Sequence, residues 1–159
     1  MTVNLNGQDL SGQDFRGQKL AGAHLREANL SGSSLSGENL SGADLAGTNL
    51  NGADLRDASM FCAGLIEAKL VGSQLAGADL SRAELRHADL SRTDLSNVEG
   101  GRANLDDSDL NSANLGGSDF RRAKFRNADI HGANLEDADL RGAKLTGAKL
   151  DGALGWCSE

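Results

Sequence analysis

The chain has 159 residues, a length suited to one domain, and its 16 basic and 23 acidic residues give a formal net charge of −7. That balance disfavours non-specific binding to nucleic acid or to an anionic membrane, because both are polyanions. One Trp, four Phe and no Tyr leave too little aromatic volume for a conventional globular core, while 21 glycines would suit a disordered chain were the leucines not so strictly spaced.

From Leu5 to Leu150 an apolar centre is expected at every fifth residue, giving thirty consecutive units without an insertion. Leu fills 24 centres; Phe15, Met60, Phe120, Phe125 and Ile130 are apolar variants, and only Gly100 departs. Two residues before the centre Ala stands in 18 units, and one residue before it Asn or Asp stands in 18. The period excludes the ordinary structures. Five residues advance an α-helix by about 500°, so successive leucines share no face. In a flat strand an odd period sends alternate leucines to opposite sides. A chain that returns to an equivalent pose after each unit, turning about a common axis, points every Leu and its small partner inward. That is a solenoid.

Units such as Ala43-Asp44-Leu45-Ala46-Gly47 and Ala138-Asp139-Leu140-Arg141-Gly142 resemble the tandem A(D/N)LXX pattern of the pentapeptide-repeat family. The resemblance covers residues 3–152 and implies an all-β fold, a right-handed quadrilateral β-helix with four units per turn. Thirty units then make about 7.5 turns, stacked at roughly 4.8 Å into a rod about 36 Å long. Residues 1–159 are expected to form a single domain, with residues 153–159 as a C-terminal cap. Asn and Asp suit the corners, where their side chains can bond nearby backbone, and Gly in the last position of a unit tolerates turn dihedrals.

Along the chain, Gln8, Gln13 and Gln18 replace the inner Ala and fit a first turn that meets solvent. Phe61, Ile66 and Val71, followed by Ala76, take the first position after successive centres and are expected to form an outward apolar collar. Phe61, beside Cys62, with Ile66 and Val71 is the candidate contact for a partner. The side centred on Leu20, Leu40 and Met60 carries Arg82, Arg102 and Arg122 in one column, with Arg121 and Arg141 beside them. Asp79, Glu99, Asp119 and Asp139 form a neighbouring column. This mixed ladder avoids like-charge stacking and adds weak surface pairs; a recognition surface for an acidic partner is the alternative.

The side centred on Phe15, Leu35 and Leu55 is the most acidic, with six acids against Arg16 and Arg56. At Gly100 a leucine is missing. Val98 and Phe120 are expected to fill its volume, either as a packed defect or with a local bulge over residues 97–102. Beyond the repeats, Trp156 is placed to cover the last turn, and Leu154 with Trp156 marks a candidate contact for an end-to-end homodimer.

The residues point away from catalysis. His24, His87 and His131 do not converge, no CxxC, HExxH, P-loop or GxSxG motif occurs, and a solenoid without loop insertions offers no water-excluding cleft. No catalytic, cofactor-binding or metal residue is expected, and no cofactor. Cys62 and Cys157 stand 95 residues apart, too far to meet in a solenoid, so a reducing compartment is expected. The opening MTVNLNGQDL shows neither a basic nor an apolar leader region, and no run reaches transmembrane length, which suits a cytoplasmic protein away from membranes. Two functional classes follow. One is a protein-binding or scaffolding module with an unidentified protein partner. The other, implied by resemblance to the family's topoisomerase-protecting members, is a DNA mimic that modulates a type II topoisomerase (gyrase) without binding nucleic acid.

Overall fold

The computed structural model describes residues 2–156. In each unit the residue before the centre pairs in parallel with the residue twenty positions on, as in Asp44↔Gly64, Gly64↔Glu84 and Glu84↔Asn104. Twenty residues are four units, so the coil is four-sided. The pairings are single-residue bridges, set between turns in which the amide of one unit reaches the carbonyl of the unit before it. Thus Leu25 N donates to Asp44 O of the next coil at 2.8 Å, Asp44 N donates to Ala23 O at 2.9 Å, and Ala28 N closes a β-turn onto Leu25 O at 3.1 Å.

That turn explains the last position of the repeat. Its third residue has positive φ in every unit from Gly7 to Gly152, the mark of a type II turn. Sixteen of these thirty residues are Gly and fourteen are not, including Cys62 and Arg82. Glycine meets the requirement without a steric cost, whereas the others are held in the left-handed region by the stacked backbone.

The centres and the small residues two before them form the core. Leu25, Leu45, Leu65 and Leu85 are buried together with Ala23, Ala43, Ala63 and Ala83, and each buried Leu contributes about 1.5–3 kcal/mol. Where Ser or Thr replaces Ala, the hydroxyl is satisfied by backbone. Ser33 Oγ donates to Leu30 O at 2.7 Å, and Thr48 Oγ1 donates to Leu25 O, one coil away, at 2.7 Å. Among the described residues no buried side-chain polar atom lacks a partner, so these replacements avoid the desolvation penalty of an unpaired group. The corner Asn and Asp behave as expected: Asn114 Oδ1 accepts from Gly116 N at 3.1 Å, and Asp79 Oδ1 accepts from Ser81 N at 2.8 Å.

Two units depart from the pattern. At Gly100 the ring of Phe120 takes the missing volume: a Cβ built on Gly100 would overlap that ring, with Cζ at 2.9 Å. Val98 and Phe120 are both buried, and the Phe120 ring packs edge-on against Phe125 at 5.3 Å. Gly100 N still donates to Asp119 O at 2.7 Å, and Glu99 pairs with both Asp79 and Asp119. Of the two alternatives, the packed defect is the one present, with no bulge over residues 97–102. A ring reaching up from the next coil restores the volume without any change of register.

The second departure lies at Glu38, which occupies an inner position and is buried. Its carboxylate accepts the Gly17 amide, which in other units goes to a carbonyl of the next coil, as Gly37 N does to Arg56 O at 2.8 Å. Between Asn4↔His24 and Asn134↔Leu154, the Lys19 and Asn39 pairing is the one missing from the series. A glutamate is too long for the slot that Ala occupies, so its carboxylate takes over a backbone bond in the outermost coil.

The two ends differ in their inner residues. Gln8, Gln13 and Gln18 are exposed. At the other end Leu145, Ala148, Leu150, Ala153 and Trp156 are partly buried and pack against the core. Cys157 and the rest of the expected cap lie outside the described residues.

Candidate functional site

The outward positions of the coil present the surface chemistry. Of the three candidate contact residues in the expected collar, Phe61 is 42% exposed, while Ile66 and Val71 are half-buried. The fourfold register puts the three on successive sides, so they do not build one apolar patch. What Phe61 meets instead is Arg82 of the next coil, whose guanidinium carbon lies 5.9 Å from the ring centroid, a cation–π contact. Cys62, beside Phe61, is an exposed free thiol. At the C-terminal end Leu154 holds a corner position, pairs with Asn134 and is 58% exposed; Trp156 is partly buried against the core.

Phe61 shares its side of the rod with the arginine columns. Arg82, Arg102 and Arg122 all adopt the left-handed conformation, with φ of 59°, 62° and 60°, and all three are exposed. Beside them Arg121 Nη2 lies 2.5 Å from Asp119 Oδ2, and Arg141 Nη2 lies 2.6 Å from Asp139 Oδ2. In the column of Arg121 and Arg141, Gly101 leaves a gap, since a Cβ there would meet only Arg121 O at 4.0 Å. The result is a shallow depression of about 570 Å³, walled by Arg82, Arg102, Arg121, Arg122 and Arg141 around Gly101, with Asp119 as its one acid.

The acids of the rod are tied to arginines by a spacing that the charge columns conceal. An Asp at the corner and an Arg two residues on bond within one unit: Asp14 with Arg16, Asp54 with Arg56, Asp119 with Arg121, and Asp139 with Arg141. In the unit Asp139-Leu140-Arg141, Arg141 Nε and Nη2 both donate to the carboxylate, at 2.9 and 2.6 Å. Those donations hold the Asp139 carboxyl at about 2, and Arg16 holds Asp14 at about 2 in the same way. The Arg121 and Arg56 side chains likewise lower Asp119 and Asp54. The signal is present in the sequence as D-x-R, which columns of charge do not reveal.

Counted by register, the side with Phe61 carries Lys19, Arg82, Arg102, Arg121, Arg122 and Arg141 against Glu38, Asp79, Glu99, Asp119 and Asp139, a balance of +1 in a chain of −7. Its neighbour centred on Phe15 stands at −4, six acids against two arginines. Among the described residues no group of three or more His, Cys, Asp or Glu side chains could hold a metal ion. No helix is long and apolar enough to cross a membrane among those residues.

Comparison with known proteins bears on the fold and the family. The pentapeptide-repeat pattern matches residues 3–37, 39–75, 62–97, 103–142 and 118–154, in eight copies. No curated protein matches the chain. Among solved structures, HetL, a pentapeptide repeat protein involved in heterocyst differentiation regulation from a Nostoc cyanobacterium, is 31% identical, with 95% of this chain and 88% of HetL covered at a TM-score of 0.44. A pentapeptide repeat protein of the Arabidopsis thaliana thylakoid lumen is also 31% identical, with 86% and 70% covered at a TM-score of 0.33. QnrB1, a plasmid-mediated fluoroquinolone resistance protein, is 19% identical, with 97% and 78% covered at a TM-score of 0.70. That likeness shows the fold alone, a right-handed quadrilateral β-helix. With the repeat pattern matched over residues 3–37, 39–97 and 103–154, this chain belongs to the pentapeptide-repeat family.

Proposed function

We propose that the protein is a non-catalytic binding module whose partner is another protein, and that the contact is made by the side carrying Phe61 and Arg82. The observation that carries this reading is the exposed Phe61 ring with a guanidinium over its face, on the side whose charge balance is positive in an acidic chain. Aromatic residues and arginines dominate the energetic centres of protein interfaces, and a solenoid offers a long side surface where a globular enzyme offers a cleft. HetL is described as involved in the regulation of differentiation, a role that accords with contact between proteins. The exposed thiol of Cys62 accords with a cytoplasmic location.

The thiol also supplies the test. A photo-crosslinker attached at Cys62, in a Cys157→Ser background, is expected to capture one protein partner from host lysate, identified by mass spectrometry. Phe61→Ser is expected to lose that partner while the protein keeps its cooperative thermal transition. If the Phe61→Ser protein retains every interaction of the parent, this side is not the contact.

A further inference from the structure

We infer that Arg82, Arg102 and Arg122 form a receptor for an acidic segment of that protein partner, laid along the rod over Gly101. The inference rests on the protein-binding reading above and names the chemistry of the partner.

Of the eleven arginines in the sequence, seven pair with a carboxylate: Arg16, Arg26, Arg56 and Arg86, and then Arg121, Arg126 and Arg141. Among the described residues the unpaired ones are Arg92, alone on another side, and the three of this column. All four stand at the positive-φ turn position, and three of them stack in consecutive coils. Backbone preference does not explain the column, because the position requires positive φ and is Gly in sixteen of thirty units. Nor does electrostatics, since like charges directly opposite on neighbouring strands repel. The column is therefore unfavourable by itself on two counts, and the repulsion is relieved when carboxylates sit against it.

The surroundings keep the column available. Of the acids on the same side, Asp119 and Asp139 are held by Arg121 and Arg141 at 2.5 and 2.6 Å, and Asp79, whose Oδ1 accepts from Ser81 N, and Glu99 form no ion pair with the column among the described residues. Gly101, in the column of Arg121 and Arg141, leaves the depression beside Arg102 open. The planar guanidinium binds a carboxylate through two parallel hydrogen bonds, and coils stacked about 4.8 Å apart present three such forks in a row. At the upper end Arg82 leans over Phe61, so the strip offers an apolar anchor beside its charges. A long nucleic acid is disfavoured there, because it would meet the field of a chain of −7 and a neighbouring side at −4. A short acidic protein segment with an adjoining apolar residue uses the whole strip.

The test is fluorescence anisotropy with three fluorescein-labelled probes: a peptide of six glutamates ending in two leucines, its all-glutamine counterpart, and a uridine hexanucleotide. The acidic peptide is expected to bind, the glutamine peptide and the oligonucleotide much more weakly. Arg102→Gln with Arg122→Gln should weaken the acidic peptide by about tenfold or more, the scale of losing charge-assisted hydrogen bonds. Arg16→Gln with Arg56→Gln, on the acidic side, should leave it unchanged. Thermal melts of both double variants establish that the rod remains folded. Absence of peptide binding, equal binding of the oligonucleotide, or indifference to the Arg102 and Arg122 changes each overturns the inference. If the crosslinked partner is lost with Phe61→Ser yet kept by the Arg102 and Arg122 variant, the protein-binding reading stands and the acidic segment does not.

Discussion

The Phe120 ring occupies the space that a side chain at Gly100 would need, and it does so from the following coil, twenty positions along the same column. The two residues therefore form one packing unit. Phe120→Leu should open a cavity and lose about 1–3 kcal/mol, while Gly100→Leu should overpack by a similar amount. Combining them restores the ordinary leucine column, so the double variant should return to within about 1 kcal/mol of the parent through a favourable coupling. Urea denaturation of the four proteins measures the cycle; additive losses would show that the ring does not stand in for the missing leucine.

The turn position with positive φ makes a second, opposite pair of outcomes. Gly42 has φ of 66°, and a Cβ added there would meet nothing within 4 Å, so Gly42→Ala tests the dihedral alone and should lose about 1 kcal/mol. Glu67 has φ of 59° at the equivalent position. Glu67→Gly should gain about 0.5–1 kcal/mol, the left-handed penalty less the added chain entropy of glycine. Equilibrium denaturation reads both signs.

Acid should remove a defined part of the stability. The Asp14 and Asp139 carboxyls sit at about 2 in the folded protein because Arg16 and Arg141 donate to them, against about 3.9 in an unfolded chain. A lowered folded value means that stabilisation is complete above the unfolded value and disappears as pH falls through the folded one. The melting-temperature difference between parent and Asp139→Asn should be present at pH 6, shrink below about pH 4 and be lost only as pH falls below about 2. A difference that persists unchanged at low pH would mean the ion pair contributes nothing.

The same pairing weakens the case for mimicry of DNA. Four corner acids, Asp14, Asp54, Asp119 and Asp139, are bonded to arginines within their own units, which screens the negative field that a DNA-binding saddle would recognise. Purified protein at micromolar concentration should leave gyrase supercoiling unchanged. Inhibition, or protection of the enzyme against a quinolone, would put the mimic ahead of the protein-binding module.

The sequence by itself determined the solenoid and its unbroken register, because a five-residue period repeated from Leu5 to Leu150 fixes where every side chain stands within its own unit. The burial of Leu45 and Ala43, the corner bond of Asp79 to Ser81 N, and the turn made at Gly42 or Glu67 are all local consequences of that period. Even the filling of Gly100 by Phe120 was legible, since both lie in one column; the absence of a bulge was not. What only the tertiary structure decided is lateral. Phe61 meets Arg82 and not Ile66, Arg121 turns inward to its own Asp119 and leaves Arg122 free of a carboxylate, and Glu38 takes the Gly17 amide from the backbone. These contacts depend on how a side chain chooses among partners in its own unit and in the coils above and below. A repeat period places those neighbours, but the competition of charge, length and packing among them is settled only when the coils are stacked.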